Sequence, residues 1–292
     1  MVARSFIVSA PQPFFLSGDN FLAYAYRVYI LLMLVAINVG NTHTGVGLFD
    51  EEKLVATTQI LTPKGDVLSA LFAPVWAWNL ENSPDPDGSS EVAIASVVPT
   101  VTRDLVRICE RNLALEPLVI SGKLAMPMVI RYDDPAELGA DRLCNALAAK
   151  VLYWKPGRPV VVVDIGTATT FDVISAKGDF VGGAIAPGPI TALESLVDKT
   201  AQLFDINFEP PSRGVIATNT EDALKAGVFW GAIGGISSML VRISDELGST
   251  TIVVVCGGMA EIIAQNSSIF HHRNENLTLH GIRIAHSLSS LQ

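Results

Sequence analysis

A pattern that occurs twice, 126 positions apart, constrains this chain most; the copies span residues 35–44 and 161–170. Each copy has an apolar run, an Asp or Asn, an aliphatic residue, a Gly and a hydroxyl-rich turn, after which an apolar run resumes. A buried strand that turns sharply at Gly and returns as a hairpin has this pattern. The Gly lets backbone N–H groups approach a ligand, and the hydroxyls add donors that suit phosphate oxygens. Two such turns predict two facing half-domains with a nucleotide between them.

The segments that follow each copy predict a duplicated α/β fold. Each hairpin continues into a third strand and then into alternating helices and strands. The chain of 292 residues is long enough for two domains. We therefore expect half-domains at 33–138 and 139–292, with 1–32 as a possible N-terminal extension because Met33 stands directly before the first motif.

Two segments of the second half are rich in glycine. The stretch 182–188 is interpreted as a glycine-rich exit after the third strand, and 220–247 as one or two helices interrupted by glycines.

Composition excludes several classes of protein. Hydrophobic residues make up 49% of the chain and charged residues 17%, which is typical of a globular protein rich in buried strands. The net charge of -9, without a stripe of Lys and Arg, argues against nucleic-acid binding. The apolar stretch at 28–37 is too short to span a membrane. Cys109, Cys144 and Cys256 lack CxxC spacing, so we expect neither disulfides nor zinc, and a reducing cytoplasm fits best.

Polar residues at both strand ends are candidates for binding a cation. Asn38 and Asp164 hold equivalent positions in the two copies. An acidic residue beside a phosphate-binding turn is where Mg²⁺ or another cation that bridges phosphates would lie. The alternative is that each side chain only caps its turn.

The tetrapeptide 139–142, Gly-Ala-Asp-Arg, is a second candidate because it starts a predicted helix. A helix N-terminus favours an anion, and Asp141 and Arg142 place a potential base beside a potential carboxylate or phosphate binder. Alternatively, Asp141 only caps the helix and Arg142 forms a surface ion pair. Tyr132 lies just upstream, where its hydroxyl could share the pocket.

Two further polar positions have structural alternatives. Asn219 and Thr220 open the long helix and are sufficiently explained as a cap. His43 lies in the first turn, where a structural hydrogen bond is the simpler role.

The order of these motifs resembles the type III pantothenate kinases. The resemblance covers about residues 33–285 and also includes Ser96-Val-Val-Pro99 and the segment from Asp164 to Asp172. It implies a duplicated actin-like, Hsp70-like (ribonuclease H-like) kinase fold and a homodimer. It also implies ATP with Mg²⁺ as phosphoryl donor, a monovalent cation such as K⁺ or NH₄⁺, and pantothenate as acceptor, in the first step of coenzyme A biosynthesis.

The resemblance also implies roles for individual residues. Asp141 would be the catalytic base and Asp164 the ligand of the monovalent cation. Pantothenate would bind to Tyr132, Gly139, Ala140, Asp141, Arg142 and Thr220. ATP would bind to Asn38, Val39, Gly40, Asn41, Thr42, His43, Thr44, Gly45 and Thr167.

One residue departs from the family pattern. The first turn of the family begins with Asp, whereas this chain has Asn38, which keeps an acceptor oxygen but loses the negative charge that would organise Mg²⁺. An alternative function follows, in which a catalytically weakened relative binds nucleotide as a regulatory or transcriptional accessory factor.

Overall fold

The structure is a computed structural model that describes residues 33–82, 91–124, 126–200, 206–212 and 214–290. The predicted N-terminal extension at 1–32 lies outside these residues. The described chain forms two sheets of five strands each, with helices packed on both.

The first sheet is built from the first half of the chain. Its strands are β1 (Met33–Val39), β2 (His43–Asp50), β3 (Lys53–Leu61), β4 (Glu91–Ser96) and β5 (Leu118–Val119). Their order is β3-β2-β1-β4-β5, with an antiparallel meander from β1 to β3 and parallel pairing of β4 with β1 and of β5 with β4. The described residues of this half include two α-helices, α1 (Ala73–Asn82) and α2 (Pro99–Ile108), and the π-helical turns Leu68–Phe72 and Cys109–Leu113 beside them.

The second sheet repeats the first. Its strands are β6 (Val160–Ile165), β7 (Ala168–Ile174), β8 (Phe180–Pro187), β9 (Ile252–Cys256) and β10 (His272–Arg273). The helices are α3 (Ala140–Leu152), α4 (Pro189–Asp198), α5 (Thr220–Leu247), α6 (Ala260–Ala264) and α7 (Leu277–Ser289). The sheet order is β8-β7-β6-β9-β10, again a meander followed by two parallel strands. The predicted duplicated α/β fold is therefore confirmed.

Two local predictions about glycine-rich segments are wrong in part. Most of the expected glycine-rich exit at 182–188 is part of β8, where Gly183 is needed because a Cβ there would lie 1.6 Å from the carbonyl oxygen of Phe171. Helix α5 is one continuous helix of 28 residues over the predicted range 220–247, so the alternative of a single helix is confirmed and its interruption by glycines is wrong. A Cβ on any of its four glycines would meet open space, so these glycines lie on a side of the helix that the subunit does not pack.

Helices α3 and α7 lie between the two sheets and connect them. Helix α7 contacts β1, β2 and β4 as well as α3, and buried residues of both sheets join both helices in one hydrophobic cluster. The two helices approach closely because Gly281 has no side chain, and a Cβ there would lie 2.0 Å from the carbonyl oxygen of Cys144. This layer positions the start of α3 against both sheets. The proposed boundary between half-domains at 138/139 stays a prediction.

Helix α5 is unusually exposed for its composition. Its length and composition would suffice to cross a membrane, although core helices of soluble proteins also meet this criterion. Only 22% of its most apolar 18-residue segment is buried. An apolar groove of about 540 Å³ runs between α5, α4 and the β7–β8 hairpin. Its α5 wall includes Gly227, Gly231 and Gly235.

Candidate active site

The first turn connects β1 to β2 and is closed by backbone and hydroxyl contacts. The N–H of Gly40 donates to the carbonyl of His43 at 3.0 Å, and the hydroxyl of Thr62 donates to the carbonyl of Gly40 at 2.7 Å. The hydroxyls of Thr44 and Thr62 lie 2.9 Å apart, and Thr44 is buried. Asn41, Thr42 and His43 are exposed, so the turn presents amide, hydroxyl and imidazole groups to a ligand.

The second turn connects β6 to β7 and is fixed by the start of α4. The carbonyl of Thr167 accepts the N–H of Gly188 at 3.0 Å and the hydroxyl of Thr191 at 2.7 Å. Gly188 allows this close approach, since a Cβ there would lie 2.0 Å from the carbonyl oxygen of Gly166. The Thr167 side chain itself is exposed.

The two turns meet directly. The Thr42 and Thr167 hydroxyl oxygens lie 3.0 Å apart, although these residues are 125 positions apart in the sequence. The prediction that the two motifs face each other is confirmed by this contact. Hydroxyl groups thus converge here from both halves of the chain, and hydroxyl donors suit an anionic ligand.

Asn38 occupies the carboxyl end of β1, with Gly45 and Ala95 as its strand neighbours. Its Oδ1 is buried and has no hydrogen-bond partner among the described residues. An unpartnered buried acceptor is costly, and an amide oxygen is an accepted ligand for hard cations or their bound water. Asn38 therefore fits the neighbourhood of Mg²⁺ as a neutral oxygen donor.

Asp164 holds the equivalent position in the second copy and is fixed by α3. The Nδ2 of Asn145 donates to its Oδ2 at 2.9 Å, and the Oδ1 of Asn145 accepts the hydroxyl of Thr278 at 2.7 Å. Burial raises the pKa of Asp164 to about 6, against the opposing effect of the Asn145 hydrogen bond. Gly257, at φ +91°, makes room for the carboxylate, because a Cβ there would lie 2.4 Å from its Oδ1.

The acidic side chains of this region do not form a preassembled metal cluster. Within the ranges that the structure describes, no three His, Cys, Asp or Glu side chains converge on one point. A cation held at Asp164 would therefore need backbone or ligand oxygens as its other ligands.

Asp141 lies in the first turn of α3. Its Oδ1 accepts the N–H of Arg142 at 2.7 Å. Gly139 leaves space for the carboxylate, since a Cβ there would lie 2.7 Å from the same Oδ1 and 3.7 Å from the side chain of Val97. Burial raises the pKa of Asp141, although the hydrogen bond from the Arg142 N–H and the charge of Arg142 lower it. A carboxylate with a raised pKa is better suited to accept a proton.

Arg142 forms a buried ion pair, so the alternative of a surface ion pair is wrong. Its Nε donates to Oδ1 of Asp172 at 2.7 Å, and the side chains are 8% and 0% exposed. Burial raises the pKa of Asp172 to about 7 although Arg142 opposes it, whereas Asp172 and Tyr132 together raise the pKa of Arg142 against the effect of burial. We take the pair as ionised, because a guanidinium keeps its charge and donates directly to the carboxylate.

The structure brings Tyr132 but not Thr220 together with Arg142. Tyr132 packs on the cluster between the sheets and lies near enough to Arg142 to raise its pKa. Thr220 is exposed at the first residue of α5, directly after the Asn219 cap, whose side chain accepts the N–H of Asp222. In the described part of the chain, no hydrogen bond connects Thr220 to the residues of the α3 start.

Three polar residues of this region were missed by the sequence analysis: Asn145, Asp172 and Thr278. Asn145 stands three residues after the Gly-Ala-Asp-Arg segment, and Asp172 ends the segment from Asp164 to Asp172, so position in or next to a motif is the available signal for these two. No signal in the sequence connects Thr278 to Asn145, because 133 positions separate them.

Comparisons with known sequences agree with these motifs. The profile of the type III pantothenate kinase family matches residues 34–242. A type III pantothenate kinase from Dehalococcoides mccartyi strain 195 is 38% identical over 260 residues, which cover 88% of this chain and 98% of that protein. One from Thermomicrobium roseum is 38% identical over 254 residues, covering 87% and 96%.

Solved structures with lower identity support the fold alone. A Campylobacter jejuni protein assigned provisionally to the Baf family of transcriptional activators has a TM-score of 0.54 and 18% identity, covering 88% of this chain and all of that one. Component A of (R)-2-hydroxyglutaryl-CoA dehydratase from Acidaminococcus fermentans has a TM-score of 0.50 and 12% identity, covering 87% and 96%. The prediction of a duplicated actin-like fold is confirmed.

Proposed function

The chain belongs to the type III pantothenate kinase family, and from that membership we propose how its residues perform the reaction. The protein is a phosphotransferase that phosphorylates pantothenate to 4′-phosphopantothenate in coenzyme A biosynthesis, with ATP as phosphoryl donor. The observation that carries the mechanism is the convergence of two equivalent strand–turn units, which meet at Thr42 and Thr167.

ATP binds between the two turns. The first turn and its flanking strand ends hold the phosphates through backbone N–H groups and the exposed side chains of Asn41, Thr42 and His43, and Thr167 adds a hydroxyl from the opposite half. The contact between the two threonine hydroxyls supports this assignment, because a phosphate oxygen can take the place of either partner.

Pantothenate binds at the start of α3, where Gly139 to Arg142 and Tyr132 are neighbours. Arg142 orients the carboxylate of the substrate, since guanidinium groups recognise carboxylates through paired N–H donors. Asp141 accepts the proton of the acceptor hydroxyl while the hydroxyl oxygen bonds to the γ-phosphorus and ADP leaves. Positioning and charge stabilisation supply most of the catalysis in such a transfer. Thr220 stays a proposed substrate residue on the sequence resemblance alone.

Two cations complete the site in this proposal. A bound Mg²⁺ would neutralise charge on the phosphates. Asn38 would hold it or its water shell through Oδ1, the buried acceptor without a partner. Asp164 would hold the monovalent cation, K⁺ or NH₄⁺, with its carboxylate oriented by Asn145.

We place a second copy of the chain on the exposed face of α5. The helix combines an apolar composition with low burial, and the groove beside it has small residues where another backbone can approach. A homodimer covers this face without a membrane. The three cysteines are free and buried, which supports a reducing cytoplasm.

The dimer is tested by placing a charge in the groove. We expect Gly231→Arg to shift the protein from dimer to monomer mass in light scattering after size exclusion, because a side chain at Gly231 has open space within the subunit and so projects onto the partner. Gly65→Arg, also into open space but outside the groove, is the matched control and should stay dimeric. A monomeric wild type, or a Gly231 variant of unchanged mass, would show that α5 is not the interface.

A coupled assay of ADP release tests the reaction itself. ADP should form only when pantothenate and ATP are both present, and the rate should rise when K⁺ or NH₄⁺ replaces Na⁺. Stabilisation by ATP without turnover would refute the kinase assignment. Equal rates in all three monovalent cations would refute the cation site while leaving the kinase assignment intact.

A further inference from the structure

The guanidinium of Arg142 is held by Asp172 and lies beside Tyr132, but one of its buried N–H donors has no partner among the described residues. Its Nε donates to Asp172 at 2.7 Å, whereas its Nη2 is buried and has no hydrogen-bond partner among the described residues. A buried guanidinium donor without a partner costs free energy, so proteins rarely leave one unless a ligand completes it.

Asp172 is itself fixed in place. Its Oδ1 accepts from Arg142, and its Oδ2 accepts the hydroxyl of Thr170 at 3.3 Å. Asp172 contacts Arg142 through Nε alone, so the pair lacks the two parallel hydrogen bonds that Arg and carboxylate groups often form. That arrangement leaves Nη2 available.

The backbone next to Nη2 leaves room for the guanidinium. A Cβ on Gly183 of β8 would lie 3.0 Å from Nη2, so any side chain at this position would crowd the guanidinium. Nη2 therefore lies close to a strand residue that carries no side chain.

We propose that Asp172 is a positioning residue that aims the free Nη2 of Arg142 at the carboxylate of the substrate. Asp172 is not proposed to contact the substrate itself, because both of its carboxylate oxygens already accept hydrogen bonds, from Arg142 and Thr170. It acts through Arg142, by fixing the plane of the guanidinium and by balancing its buried charge. This inference rests on the proposed role of Arg142 in binding pantothenate.

The test compares the kinetic effects of Asp172→Asn with those of a matched control. Asp172→Asn keeps the shape of the side chain but removes its charge, and we expect the KM for pantothenate to rise about tenfold or more, with the KM for ATP unchanged, because hydrogen bonds to charged groups typically contribute at this level. The control, Asp179→Asn, removes a carboxylate that lies 2.8 Å from the largely exposed guanidinium of Arg131, and it should leave both KM values unchanged. An unchanged pantothenate KM in Asp172→Asn would overturn the proposal.

A double-mutant cycle separates positioning from general support of the fold. If Asp172 acts only through Arg142, then Asp172→Asn should add nothing to the pantothenate KM of Arg142→Ala. Additive effects would show that Asp172 acts independently of Arg142 and would refute the proposal.

A milder variant covers the case in which Asp172→Asn does not fold. Thr170→Val keeps the ion pair but removes the hydroxyl on Oδ2, so the pantothenate KM should rise by a few-fold without a change in the KM for ATP. An unchanged pantothenate KM in this variant would then count against the proposal. The same assay tests the proposed function separately. A wild type that fails to phosphorylate pantothenate would refute that function rather than the role of Asp172.

Discussion

Replacing Asp141 by Asn is expected to lower turnover by roughly 100-fold or more, the usual contribution of a general base. The change removes the proton acceptor but preserves the local structure. The Oδ1 that accepts the Arg142 N–H at 2.7 Å is retained by the amide, so the start of α3 should stay folded. Turnover is measured by ADP release at saturating ATP and pantothenate, and melting temperature and ATP affinity should match the wild type.

The pH dependence of the same variant makes the assignment sharper. Burial raises the pKa of Asp141, so the protonated, inactive form persists to higher pH than it would for an exposed Asp. The wild-type rate should therefore fall as the pH is lowered, with a midpoint above the ordinary Asp value of about 4. This acidic limb should disappear from the residual activity of Asp141→Asn.

Two outcomes would contradict the assignment of the base. One is an Asp141→Asn variant that keeps more than about a tenth of wild-type turnover, well above what loss of a general base leaves. The other is an acidic limb that persists in the variant, which would place the titrating group elsewhere. Asp179→Asn serves as control here too, because its partner Arg131 is largely exposed and a surface pair contributes little to stability.

The strand–turn units could be predicted because the residues that determine them are consecutive in the sequence. Gly40 and Gly166 each follow an aliphatic residue at the end of a buried strand, and that order specifies a hairpin whatever the distant chain does. The common strand order of the two sheets followed from the repeat. The same reasoning found Asp141, because a helix start is also a local signal.

Contacts between distant residues could not be predicted in this way. Asp172 lies within an apolar strand, and nothing in its neighbours indicates that Arg142, 30 positions earlier, reaches it from α3. The sequence predicts a glycine-rich exit that begins at residue 182, whereas Gly183 lies within β8, where the carbonyl of Phe171 on the adjacent strand leaves no room for a Cβ. The glycines of α5 predict interruptions of the helix, because each glycine weakens an isolated helix by about 1 kcal/mol relative to alanine.

The departure at Asn38 concerns the charge beside the phosphates. Its Oδ1 is buried and unpartnered in the described residues, so a carboxylate there would place a negative charge where the protein supplies no hydrogen bond to it. Such a charge is costly to bury alone and favourable beside a cation. In the proposed site, Asn38 would therefore bind Mg²⁺ more weakly than an Asp would, while still offering it an oxygen ligand.

Asn38→Asp is therefore expected to lower the Mg²⁺ concentration for half-maximal rate by about tenfold or more, since a unit charge a few ångströms from a divalent cation is worth at least about 1.4 kcal/mol at a partly buried site. Because the new charge is uncompensated without metal, the variant should also melt at a lower temperature in the absence of Mg²⁺ and recover more of its stability than the wild type when Mg²⁺ is added.

Asn112→Asp adds the same charge at an exposed position and should change neither the Mg²⁺ requirement nor the metal-dependent stability. The KM for pantothenate should stay constant, since its proposed contacts do not include position 38. If the Mg²⁺ requirement and the metal-dependent stabilisation both equal those of the wild type, position 38 does not organise the divalent metal, and another carboxylate, such as Asp164, holds that role.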